Sequence, residues 1–115
     1  MKVYHNPRCS KSRCVVDWLK ENSFEFEIVD YMKNRLTSDE INLILKQLNM
    51  FPVDLLRKNE TEFKEHILGK KLNDDEIIEL MSKYSKLIER PIVVWDEKAI
   101  VARPIQKLTE LLIKK

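Results

Sequence analysis

Apolar and polar residues alternate with period two in FEFEIV, Phe24–Val29, the signature of a half-exposed β-strand. Upstream, from Ser10 to Glu21, Cys14, Val15, Trp18 and Leu19 recur at helical spacing, and Asn22-Ser23 ends that helix. Lys2–Tyr4 is short and apolar enough for a buried strand. The opening residues therefore read β-α-β, a unit whose crossover is nearly always right-handed and whose strands are parallel.

The middle of the chain switches to the helical period. Thr37–Glu40, TSDE, is a capping box, and Ile41, Ile44, Leu45 and Leu48 follow it on one face. Pro52 and Val53–Glu60, VDLLRKNE, read as a turn with a short irregular helix. Asn73–Glu76, NDDE, is a second capping signal, with Ile77, Leu80, Met81 and Tyr84 on one face behind it. Both stripes are most simply core. Arg90–Trp95, RPIVVW, is a continuous β-branched run; Asp96–Lys98 turns it into Ala99–Ala102, giving an antiparallel hairpin. Pro104 suits the first turn of a closing helix, with Ile105, Leu108 and Leu112 inward. The order β-α-β, helices, β-β-α predicts an α/β chain of the thioredoxin-like (glutaredoxin-like) class. Its four-stranded mixed sheet would carry a helical insertion at about 37–85 within one domain, 1–115.

Charge changes this picture little. The 21 basic and 19 acidic residues are scattered and leave a net charge of +2, which argues against a nucleic-acid partner. No apolar run approaches the roughly 20 residues of a membrane span, and MKVYHNP lacks a signal peptide's apolar segment. A cytoplasmic protein is expected. Nothing resembles a heptad or an exposed apolar stripe, so the expectation is a monomer. His66 has no partners at ligand spacing, so no metal site is expected.

The chemistry concentrates in YHNPRCSKSRC, Tyr4–Cys14, which holds both cysteines. Two cysteines make no disulfide framework, and a reducing compartment keeps them as thiols. Cys9 falls at the start of the first helix, where free N–H groups and the helix dipole lower a thiol's pKa. Arg8, Lys11 and Arg13 flank it, His5 lies in the same loop, and the Ser10 and Ser12 hydroxyls can donate to a sulfur anion. Its plainer reading is a satisfied residue at the helix start. A Cys9–Cys14 bond is disfavoured, because five helical residues span ~7.5 Å of rise, whereas disulfide Cα atoms lie within ~7 Å. Cys14 therefore reads as core filler. Arg57 follows an apolar pair, and Arg90-Pro91 and Arg103-Pro104 stand at strand ends, where α/β sheets build their sites. Guanidinium forks at such places suit tetrahedral oxyanions.

YHNPRCSKSR, LLRKNE, RPIVVW and ARP together resemble the glutaredoxin-coupled, ArsC-type arsenate reductases of the thioredoxin superfamily, across essentially the whole chain. The resemblance implies Cys9 as nucleophile, Arg57, Arg90 and Arg103 as arsenate-binding groups, and His5, Ser12 and Arg13 as helpers of the thiolate. It implies that Pro91 matches the cis-proline beside the thioredoxin-like active thiol. It further implies arsenate as substrate, glutathione as co-substrate, glutaredoxin as partner protein, and no bound cofactor. Ser10 stands where some members carry glycine.

Two rivals stay open. A glutathione-dependent thiol reductase of the same type without arsenate activity would share Cys9 but be indifferent to Arg57→Ala. Spx-type regulators binding RNA polymerase share the segment around ERPIVV, but those with a redox switch usually carry C-x-x-C where this chain has Cys9 and Ser12. A phosphatase-like loop needs Cys and Arg six positions apart, and Cys9 to Arg13 is four.

Overall fold

A computed structural model describes residues 1–113. In chain order the elements are β1 (Lys2–His5), α1 (Ser10–Glu21), β2 (Glu27–Asp30), α2 (Ser38–Leu48), a 3₁₀ turn (Pro52–Leu55), α3 (Thr61–His66), α4 (Asp74–Lys83), a second 3₁₀ turn (Ser85–Leu87), β3 (Ile92–Trp95), β4 (Lys98–Val101) and α5 (Gln106–Ile113). They fall into two compact units, Met1–Lys33 with the sequence from Arg90 onward, and Asn34–Glu89. Among the described residues, no helix is long and apolar enough to cross a membrane.

The first unit is a four-stranded sheet in the order β2-β1-β3-β4. β1 pairs in parallel with β2 (Val3↔Ile28) and antiparallel with β3 (Val3↔Val93), and β3 pairs antiparallel with β4 (Val93↔Ile100). Asp96-Glu97 alone closes the hairpin, since Trp95 pairs with Lys98. Asp96 takes the left-handed backbone (φ 61°) that such tight turns demand. The core joins Val3 and Val93 of the sheet to Val15, Val16 and Leu19 of α1 and to Leu108 of α5. Fully burying a side chain of this size stabilises by roughly 1.5–3 kcal/mol, which is why the sheet needs its helices.

Several sequence expectations shift here. β2 begins at Glu27, not Phe24: Trp18 stacks on Phe24 at 5.9 Å, and Phe26 packs against the core from coil. The alternation before Glu27 comes from aromatic packing rather than strand pairing. The buried stripe of α1 is Ser12, Val15, Val16 and Leu19; Cys14, expected as core filler, is exposed. Pro104 does not open α5. It follows a cis peptide bond to Arg103, and the helix starts at Gln106.

The second unit is helical. Both expected capping boxes form: Glu40 N–H donates to Thr37 Oγ1 at 3.1 Å, and Glu76 N–H to Asn73 Oδ1 at 2.8 Å, each answered by the reciprocal bond. Ile41, Ile44 and Leu45 of α2 and Ile77, Ile78 and Met81 of α4 are buried. Ile78 takes the inward place expected of Leu80. VDLLRKNE ends in no helix beyond the 3₁₀ turn; instead Leu56 bridges Ile88 antiparallel. Around that bridge, Arg57 N–H donates to Leu87 O at 2.7 Å and Glu89 N–H to Leu55 O at 2.9 Å. His66 ends α3 and stacks on Tyr84 at 4.7 Å.

Candidate active site

Strand register gathers the site at one end of the sheet. β1 runs out at His5 toward the Cys9 loop, and its antiparallel partner β3 starts there, with Tyr4 opposite Ile92. Ile92 is in turn opposite Val101, the last residue of β4. The segments Asn6–Cys9, Arg90-Pro91 and Ala102-Arg103 therefore share one sheet end. Pro91 is buried, its bond to Arg90 is cis, and its carbonyl accepts from Ala102 N–H at 2.9 Å.

The loop into α1 is tied to itself. Asn6 is buried, and its Oδ1 accepts from Arg8 N–H at 3.0 Å while its carbonyl accepts from Cys9 N–H at 3.0 Å. Asn6 N–H donates to the buried Ser12 Oγ at 3.4 Å. Cys9 is thereby set in extended backbone (φ −94°, ψ 120°) as the N-cap of α1, and its carbonyl accepts from Arg13 N–H. Its sulfur thus stands at the helix N-terminus, where the backbone N–H groups of the first turn lack carbonyl partners within the helix.

Electrostatics follow from that placement. Partial burial pushes the Cys9 thiol up. The Ser12 backbone N–H, the Arg90 guanidinium bonded to the sulfur, the Lys11 backbone N–H and the Arg90 charge outweigh it, and bring the thiol down to about 7. Near neutral pH about half of Cys9 is then thiolate. Arg103 stands beyond the end of β4, and its Nη1 is buried with no hydrogen-bond partner among the described residues.

The remaining expected site residues are placed differently from one another. Ser12 reaches the sulfur through its backbone N–H, while its hydroxyl oxygen serves Asn6. Arg13 donates through Nη1 to Pro7 O at 3.2 Å and so braces the loop. His5 is buried, and desolvation lowers its pKa even though Asp30 pulls the other way. The ring is therefore uncharged at neutral pH. Arg57 lies in the helical unit, where it binds Glu60 and Glu89. A groove of about 490 Å³ in that unit, between Leu45, Phe51 and Ile78, is lined by none of these residues. Asn6 escaped the sequence reading, although Asn-Pro is a turn-initiating pair that could have marked it.

A mixed four-stranded sheet with a depressed thiol at the start of its first helix defines the class, a thioredoxin-like α/β protein. A sequence model of the ArsC family matches residues 4–111, and the chain belongs to that family, within the thioredoxin-like superfamily. It is 39% identical to the uncharacterised Escherichia coli protein YfgD over 97% of this chain and 96% of that one. It is 32% identical to an arsenate reductase of Neisseria meningitidis over 97% of both chains. The arsenate reductase structure from Vibrio cholerae superposes with a TM-score of 0.89 at 35% identity, covering 96% of this chain and 97% of that one.

Proposed function

We propose that this protein reduces arsenate to arsenite through a covalent adduct on Cys9, with glutathione and glutaredoxin supplying the electrons. The observation that carries the reading is the Cys9 sulfur, brought down to about 7 and hydrogen-bonded by Arg90 at the sheet end that also holds Arg103. The unpartnered Nη1 of Arg103 supports it, since a buried donor favours an acceptor such as an arsenate oxygen. Arg57 is proposed as a third arsenate-binding group on the strength of its LLRKNE motif. The identities to named arsenate reductases point the same way.

The Cys9 thiolate attacks As(V), and an arsenate oxygen leaves as water after protonation, giving a Cys9–S–As(V) adduct. The guanidinium groups offset the charge that builds on the remaining oxygens. Glutathione condenses onto arsenic with loss of a second water. A glutaredoxin thiolate then attacks the glutathione sulfur. A glutathione–glutaredoxin disulfide forms, the S–As electron pair passes to arsenic, and As(V) becomes As(III). Water finally cleaves the Cys9–As(III) bond, releasing arsenite and restoring the thiol. A low-pKa thiol with no neighbouring thiol at disulfide reach suits this route, because its oxidised product must be resolved by an external thiol.

Arsenate-dependent NADPH loss, coupled through glutathione reductase and glutaredoxin, tests the proposal. Turnover by the wild type and its loss in Cys9→Ser are expected. No wild-type turnover, or turnover retained in Cys9→Ser, overturns it.

A further inference from the structure

We propose that Glu60 and Glu89 act as a built-in competing anion for Arg57, so that an arriving oxyanion must displace a carboxylate to grip this guanidinium. The inference rests on the oxyanion role proposed for Arg57. Arg57 Nε lies 3.3 Å from Glu60 Oε1, and Nη1 lies 3.5 Å from Glu89 Oε1. A guanidinium presents two edges for bidentate binding, one using Nε and Nη2, the other Nη1 and Nη2. Each edge therefore already has one nitrogen engaged by a carboxylate. All three side chains are sheltered, at 16%, 24% and 28% exposure, so the contact is less screened than a surface pair.

The backbone holds the arrangement in place. The isolated Leu56↔Ile88 bridge sets Arg57 and Glu89 on facing segments, through Arg57 N–H to Leu87 O and Glu89 N–H to Leu55 O. Glu60 is held at the turn by its N–H to Arg57 O at 3.5 Å. Two carboxylates thus contact one guanidinium. This prior engagement raises the threshold for an anion and favours one that is doubly charged and bidentate. Glu60 and Glu89 are thus positioning residues for specificity, acting through Arg57.

The test compares Glu60→Gln, Glu89→Gln and the double variant, each also combined with Arg57→Ala. Arsenate KM is read in the coupled assay. Oxyanion affinity is read separately, from protection of Cys9 against iodoacetamide by arsenate and by sulfate. The Gln variants keep side-chain volume and one acceptor oxygen while removing the charge. Each is expected to lower arsenate KM about two- to fivefold, as a sheltered ion pair implies, with a larger effect on KM than on kcat. Sulfate protection should improve in parallel, and both gains should vanish in the Arg57→Ala background. If the wild type turns over arsenate, an unchanged or raised KM in the Gln variants overturns this proposal alone. If the wild type shows no turnover, the reductase reading falls, and the protection arm decides the carboxylate effect. Tighter protection in the Gln variants upholds it; equal or absent protection overturns it as well.

Discussion

Arg90 hydrogen-bonds the Cys9 sulfur although the two residues lie near opposite ends of the chain. The antiparallel pairing of β1 with β3 makes that meeting possible: the end of one strand and the start of the other face the same way. Arg90→Ala should therefore raise the Cys9 pKa toward the ordinary thiol value, with the backbone N–H groups of Ser12 and Lys11 still holding part of the depression. Thiolate absorbance at 240 nm against pH reads this directly. A titration that stays near 7 in the variant would mean Arg90 plays no part.

The same shift sets a pH dependence of stability. In the native state Cys9 ionises at about 7, below an unfolded thiol. Its contribution is therefore fully present above the unfolded thiol's pKa and is lost as pH falls through about 7. Urea unfolding at pH 6.5 and pH 9 should show wild type gaining on Cys9→Ser at the higher pH. Parallel curves for the two proteins would contradict the linkage.

Core and cap substitutions should separate by size. Leu19 is fully buried between α1 and the sheet, so Leu19→Ala should cost about 2–5 kcal/mol. Asn73 closes an exposed capping box at the start of α4, and Asn73→Ala should cost about 0.5–2 kcal/mol. Denaturant midpoints at constant slope check both. A larger loss for the cap than for the core would reverse this account of where stability resides.

Cys14 is on the solvent side of α1, outside the buried stripe. Ellman's reagent should titrate both thiols in the native protein, and Cys14→Ser should remove one of the two while the ionisation near 7 persists. Stability should change by no more than about 0.5 kcal/mol. A native protein with a single reactive thiol would place Cys14 back in the core.

Elements whose signal is local were legible from the sequence. The capping boxes at Thr37 and Asn73 are written in four adjacent residues each, and both form. The β-branched run before Asp96 likewise gave the hairpin, with its turn tightened to Asp96-Glu97. Misreadings arose where packing uses residues against type. Ser12 occupies a buried position of α1 because its hydroxyl oxygen serves Asn6, which turned Cys14 outward. Phe24 mimics a strand residue while stacking on Trp18. α3 carries no buried side chain and so has no stripe to betray it. For the site, Cys9 and the strand-end arginines could be picked out by position. The hold on the sulfur by the Ser12 and Lys11 backbone could not, since N–H groups leave no trace in residue identity.

Arg90 and Arg103 cap the two open legs of a single hairpin, whose ladder runs from Ile92↔Val101 to Trp95↔Lys98. The separation of their stems is thus inherited from backbone pairing and does not depend on how far either side chain stretches. Slipping that ladder by one residue would invert every side chain on the moved strand and break the cationic pair apart. In this protein, getting the sheet into register and spacing two guanidinium stems are one and the same folding event.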